Sequence, residues 1–272
     1  MGRIAIGIEY DGRAYCGWQQ QDEAPSIQQT LERALARVAD CPVALTAAGR
    51  TDAGVHARIQ IAHFDTTALR SVRAWVLGTN TYLPADISLG WARPVAAHFH
   101  ARFAALSRTY RYVILNRPAR SALAAGRALC VYRPLDAERM QAAAQHLLGQ
   151  HDFSAFRAAA CQARSPVRRL EQLTVTRDGE WLTVEVTANA FLHHMVRNIV
   201  GLLLAVGVGD APPEQALIQL ESRQRSSGEA TAAAHGLYLW QIRYPAAFGL
   251  PEAEEGDSAI IGGLKGSGDA GG

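Results

Sequence analysis

The sequence predicts an α+β fold made of two halves of similar size. Strand-like alternation and helix-like spacing follow one another twice along the chain. Each set reads as sheet on one face and helix on the other, which fits better than a doubly wound arrangement. With 272 residues, 49% hydrophobic and 19% charged, the chain is globular and can bury a large core.

The elements follow in order. Ile4, Ile6 and Ile8 alternate within Arg3–Glu9, the mark of a half-buried strand. Ser26 reads as a helix N-cap before Ile27, Leu31, Leu35 and Val38 at helical spacing. Strand patterns recur at Val43–Ala47 and Ile59–Phe64, a short helix over Val72–Leu77 and a strand at Ile87–Trp91. In the second set Thr109–Leu115 alternates as a strand, and Asp136–Leu148 is an amphipathic helix. Leu170–Arg177 and Trp181–Thr187 are strands around the Asp178-Gly179 turn. A long apolar helix runs over Phe191–Val206, Pro212-Pro213 opens a short one, and Leu237–Ile242 is the last strand. The halves are read as 1–104 and 105–246, with an acidic, Gly-rich tail at 247–272 that has little to bury and is expected to be disordered.

No segment approaches the ~18 uninterrupted apolar residues of a membrane span, and the N-terminus runs straight into a strand, so a cytoplasmic location is expected. Cys16, Cys41, Cys130 and Cys161 lie far apart without a CxxC pair and read as reduced. The net charge of +2 hides an asymmetry: the tail is acidic, and Ile87–Leu135 has no Asp or Glu. That run carries Arg93, Arg102, Arg108, Arg111, Arg117, Arg120, Arg127 and Arg133. Solvated faces usually mix signs, so the run points to a polyanion partner.

Three segments can carry chemistry. In Gly49-Arg50-Thr51-Asp52-Ala53-Gly54-Val55-His56 two glycines flank one carboxylate between two strand patterns. Alone, it is either an Asx-type turn or a loop presenting a nucleophile or base. Ser107–Tyr112 puts Tyr110 and Tyr112 on one strand face and Arg111 on the other, which is either core or a base-stacking surface. In Phe191–Gly201 an arginine, Arg197, sits on an apolar helix. It either snorkels to the surface or meets a carboxylate, with Asp52 the obvious partner. Metal catalysis is disfavoured, because His193 and His194 would lie about 100° apart on a helix. GxGxxG, P-loop and Gly-x-Ser-x-Gly motifs are lacking.

Gly49–His56 resembles the signature of the TruA family of tRNA pseudouridine synthases. Further matching stretches are Ile8–Gly12, Cys16–Gln19, His63–Thr66, Leu83–Ile87, Phe99–Phe103, Tyr110–Tyr112 and Phe191–Gly201, so the likeness reaches about Ala246. Arg58–Ile61 and Thr79–Thr81 depart mildly from the family pattern. The resemblance implies two ferredoxin/RRM-like α+β halves sharing a central mixed, mainly antiparallel sheet, with helices on the outer face and the active cleft between them. It implies isomerisation of uridine to pseudouridine at positions 38, 39 and 40 of the tRNA anticodon stem-loop, by a homodimer that needs no cofactor or metal. It carries Asp52 over as nucleophile, Arg197 as its ion-pair partner and Tyr110 as the ring that stacks on the target uracil. Arg50, His56, Arg102, Arg108 and Arg111 are assigned to the RNA-contacting set. Two alternatives remain: a synthase of the same family with another uridine target, and an RNA-binding protein on this fold without turnover.

Overall fold

The structure is a computed structural model that describes residues 2–21, 24–159, 161–225 and 230–251. The chain opens on β1 (Gly2–Tyr10), runs through α1 (Ile27–Ala39), and returns along β2 (Thr46–Ala47) and β3 (His56–Thr66). A π turn (Ala74–Gly78) and α2 (Thr79–Tyr82) lead to β4 (Ile87–Val95). A second group follows: β5 (Ser107–Asn116), β6 (Leu129–Val131), α3 (Ala137–Gln145), β7 (Gly149–Asp152), β8 (Val167–Asp178) and β9 (Trp181–Ala188). It ends with α4 (Met195–Gly207), α5 (Gln215–Ser222) and β10 (Leu237–Arg243).

All of these strands join one mixed, mainly antiparallel sheet in the order β4-β1-β3-β10-β5-β9-β8-β7, with β2 on β3 and β6 on β5. Within each group the order is fourth-first-third-second: β4-β1-β3-β2 and β10-β5-β9-β8. That is the split β-α-β pattern of ferredoxin-like units, as the sequence predicts. β10 joins the two groups. It runs antiparallel to β5, with Leu239 opposite Tyr110, and parallel to β3, with Tyr238 opposite His56.

Local chemistry explains most element ends. Ser26 Oγ accepts the Gln29 N–H at 3.2 Å, starting α1, and Asp40 ends it in the left-handed region at φ 57°. Asp136 caps α3 by accepting from the N–H groups of Glu138 and Arg139. Three expectations are corrected. β1 is buried on both sides: Ala5 and Gly7, on the face opposite Ile4, Ile6 and Ile8, are buried too, with the Trp91 ring against Gly7. The helix expected from Phe191 starts only at Met195, because Phe191 and Leu192 are drawn into packing and His194 sits at φ 61°. The strand expected over Val43–Ala47 shrinks to two residues. β6 and β7 are too short for periodicity to reveal them.

Alternation on β5 divides the interior. Tyr110, Tyr112 and Ile114 belong to the main core with Ile199, Val200 and Leu203 of α4. Val113 and Leu115 join Trp181, Tyr238 and Trp240 on the other face, covered by Ala124 and Ala128. Residues 230–234 form a strap across α4. The Ala232 N–H donates to the Arg197 carbonyl at 3.1 Å, Thr231 Oγ1 donates to Asn198 Oδ1 at 2.8 Å, and the Tyr112 hydroxyl donates to the Ala233 carbonyl at 2.8 Å. Gly201 lets the strap approach: a Cβ there would lie 1.9 Å from the Ala230 carbonyl oxygen. Of the tail, residues from 252 onward lie outside the described residues; ahead of them Phe248 packs edge-on against Phe99 at 5.0 Å. Among the described residues no helix is long and apolar enough to cross a membrane, and the four cysteines are free.

Two outcomes are expected. Gly201→Ala should displace the strap, destabilising the fold by about 1–3 kcal/mol in denaturant titration, as overpacking against backbone does. The second concerns His63, whose Nδ1 accepts the Ala101 N–H at 3.2 Å. Burial, with help from Arg3 and His100, pushes its imidazole from 6.5 down to about 4. Between those values the unfolded chain binds a proton that the folded chain does not. Stability is therefore complete above pH 6.5 and falls as pH drops towards 4. His63→Asn retains an acceptor but no titration, so it should lose less stability than wild type between pH 7 and pH 5. His56, His194 and His235, shifted in the same direction, supply the remaining slope.

Candidate active site

The loop between β2 and β3 is held by its neighbours. Its Ala48 N–H donates to the Ile61 carbonyl at 2.8 Å, and Gln60 Nε2 donates to the Gly49 carbonyl at 2.7 Å. The Trp18 N–H donates to the Thr51 carbonyl at 3.0 Å, and the Gly54 N–H to the Tyr15 carbonyl at 3.3 Å. Gly54 takes a left-handed φ of 77°. Gly17, at φ 92°, brings its backbone so close that a Cβ would lie 2.6 Å from the Thr51 oxygen. Gly49, by contrast, has open space around it and needs no special φ, so it is Gly17 and Gly54 that shape this turn. Thr51 turns inward, its Oγ1 2.8 Å from the Tyr10 hydroxyl. Asp52, the next residue, turns out toward α4.

There Arg197 Nη1 donates to Asp52 Oδ2 at 3.1 Å. Arg197 Nε donates to the Ala232 carbonyl of the strap at 2.8 Å, and its side chain is only 16% exposed. The paired reading of Arg197 therefore holds over the snorkelling one. Two donors on one guanidinium, one spent on backbone, fix the direction of the other.

Sequence reasoning missed two neighbours. His193 Nε2 lies 3.3 Å from Asp52 Oδ1 and His194 Nε2 3.3 Å from Oδ2. They stand before α4, not on it, so the helical angle that separated them does not apply. The left-handed backbone at His194 turns both rings toward one carboxylate. Burial lowers the His194 imidazole against the pull of Asp52. Asp52, His193 and His194 form the one group among the described residues whose ligand atoms lie within 4.8 Å of one another, as a metal would require. Arg197 already places a guanidinium on the same oxygen, and that charge opposes a cation there.

Tyr110 lies beside this cluster. Its ring meets Phe191 edge-to-face at 5.1 Å and is 9% exposed. Burial, with the Asp52 carboxylate adding, raises its hydroxyl, so it stays protonated at neutral pH. Asp52 comes from the first strand group, and Tyr110, His193, His194 and Arg197 from the second.

The other predicted contact residues separate. Arg50 and Arg102 are exposed. Arg108 is a clip: its guanidinium donates to the carbonyls of Ala48 at 2.9 Å, Arg102 at 2.6 Å and Asn189 at 2.9 Å. Arg111 lies on the far face, paired with Glu185 and stacked 4.1 Å from the Trp240 ring. His56 is 2% exposed, with Nε2 against the Gly126 and His235 carbonyls and its ring stacked on Tyr238. Neither Arg111 nor His56 presents a free group to a partner. The acid-free run is not acid-free in space: Arg117 pairs with Glu180, Arg127 with Asp11 and Arg133 with Asp210. Folding supplies from other segments the acids that the run itself lacks.

The family profile described as tRNA pseudouridine synthase matches residues 6–104 and 143–245. A tRNA pseudouridine synthase A of Methylococcus capsulatus is 55% identical, over 91% of this chain and 92% of its own. Those of Thiobacillus denitrificans and Pseudomonas aeruginosa are 52% and 51% identical, over 94% and 96% of this chain and 98% and 92% of their own. The match to the profile spans both strand groups, and the relatives align along nearly their whole length. The chain belongs to the tRNA pseudouridine synthase family, isomerases that convert uridine to pseudouridine.

Proposed function

We propose that Asp52 is the nucleophile of this synthase and that its targets are uridines 38, 39 and 40 of the tRNA anticodon stem-loop. The observation that carries the reading is the Asp52–Arg197 contact at 3.1 Å beside Tyr110. The reaction breaks the bond from C1′ to N1 and forms one from C1′ to C5. The C5 proton leaves and N1 gains one, so the balance needs no oxidant and no cofactor. Arg197 and His194 hold Oδ2, and Oδ1, whose neighbour is the more exposed His193 imidazole at 3.3 Å, is the oxygen that attacks. Covalent capture by that oxygen splits one difficult step into two. The uridine must first leave its stack, at a cost of a few kcal/mol. Tyr110, kept neutral, offers a ring for the displaced base, worth roughly 1–3 kcal/mol. Arg50, exposed on the same loop as Asp52, would contact the RNA as the base comes out, and exposed Arg102 would meet phosphate. A tRNA substrate fits a cytoplasmic enzyme, and we read it as a homodimer.

Asp52→Asn should abolish pseudouridine formation while tRNA binding stays within a few-fold of wild type; near-normal turnover in that variant would remove Asp52 from the chemistry. Tyr110→Phe should retain most substrate affinity and Tyr110→Ala should not, read as KM on a stem-loop RNA. Mapping pseudouridine at nucleotide resolution after incubation with whole tRNA tests the target. Modification confined to uridines outside the anticodon stem-loop would favour the alternative specificity. Sedimentation of the free enzyme reads the dimer.

A further inference from the structure

Outside the Asp52 cluster an exposed aromatic ring packs against a neighbouring ring. Phe103 is 76% exposed. Its ring lies against His100, with centroids 4.3 Å apart and planes 31° apart, and the Arg102 guanidinium sits over it at 5.6 Å. His100 is itself fixed. Its Nδ1 faces the N–H groups of Arg102 at 3.1 Å and Phe103 at 3.2 Å, and its ring packs edge-on against His63 at 5.1 Å. The turn closes with the Ala104 N–H on the His100 carbonyl at 2.9 Å. The Arg108 clip then joins this turn to the Asp loop, holding the Arg102 and Ala48 carbonyls with one guanidinium nitrogen.

We propose that His100, Arg102 and Phe103 form a second stacking platform, which takes an unpaired nucleobase of the RNA substrate next to the one being isomerised. The inference rests on the RNA-modifying reading above and adds a subsite to it. One face of the Phe103 ring carries His100, the exposed Arg102 guanidinium reaches over the ring at 5.6 Å, and the side chain as a whole stays 76% exposed. A ring held in this way loses little freedom when a base stacks on it. The charge fits as well. Arg102 supplies a cation at the ring, and Arg50, exposed on the clipped loop, supplies a second toward the same strand. A flat apolar face edged by guanidinium matches a base and its phosphate. Tyr110 and Phe103 would thus hold two neighbouring bases, one inside the cleft and one at its rim.

The test uses the full-length enzyme and a stem-loop RNA. Phe103→Ala should raise KM by roughly ten- to a hundred-fold, the range of base-on-aromatic stacking, with kcat nearly unchanged. Its thermal melting should match wild type, because the ring is exposed. Phe103→Trp should keep KM near wild type and Phe103→Leu should not, since only a π face restores stacking. An abasic nucleotide placed at each loop position in turn should locate the partner. At that position the abasic RNA and Phe103→Ala should not be additive. An unchanged KM in Phe103→Ala, or a Leu variant as good as Trp, overturns the platform. So does a shift of Phe103→Ala to a smaller oligomer in sedimentation, which would make the ring a contact between copies. Wild-type turnover is the control: without it the proposed function falls, and with it only the platform is at stake.

Discussion

A carboxylate and a guanidinium 3.1 Å apart, 145 residues apart in sequence, organise this protein. A half-buried arginine is costly without a partner, and an aspartate on a loop does not point in one direction without a donor. Each solves the other's problem, and the surroundings are built to let them meet. The strap at 230–234 accepts the remaining Arg197 Nε–H, and Gly201 is small enough to let the strap lie on α4. On the other side Gly54 bends the loop, and Gly17 lets the segment before α1 lie against it, where Thr51 goes in and Asp52 comes out.

The sheet makes that meeting geometrically possible. β10 is the last strand in the chain, yet it lies between β3 and β5. It therefore sets the start of β3, which follows the Asp loop, one strand away from Tyr110. The second strand group needs β10 to complete its own ferredoxin-like order, and its free edge receives β3 in parallel. The Asp52 cluster thus forms only when the two groups are joined. Arg108 strengthens the join from outside by clipping three carbonyls from three segments.

The arginines show how tertiary structure sorts a charge pattern. In the sequence they form one acid-free run. In the fold, Arg111, Arg117, Arg127 and Arg133 find acids from distant segments, and Arg108 is spent on backbone. Arg102 and Arg120 stay exposed, with Arg50 on the neighbouring loop. What folding leaves exposed is a few separate guanidiniums rather than a basic stripe.

By itself the sequence determined the elements and the cast. Alternation of apolar residues marked the long strands, Ser26 marked a helix start, and the family motifs singled out Asp52, Tyr110 and Arg197. These signals are local: a pleat, a cap or a turn is decided by residues a few positions apart. The tertiary structure decided what depends on distant partners. It showed that Gly17, not Gly49, lets neighbouring backbone close on the loop, and that His56 and Arg111 are packed and paired. It unwound Phe191–His194, so that His193 and His194 flank the Asp52 carboxylate although helical periodicity had set them apart. The physical reason is common to all of these: close packing and charge pairing reward the neighbour in space, and only the folded chain says who that neighbour is.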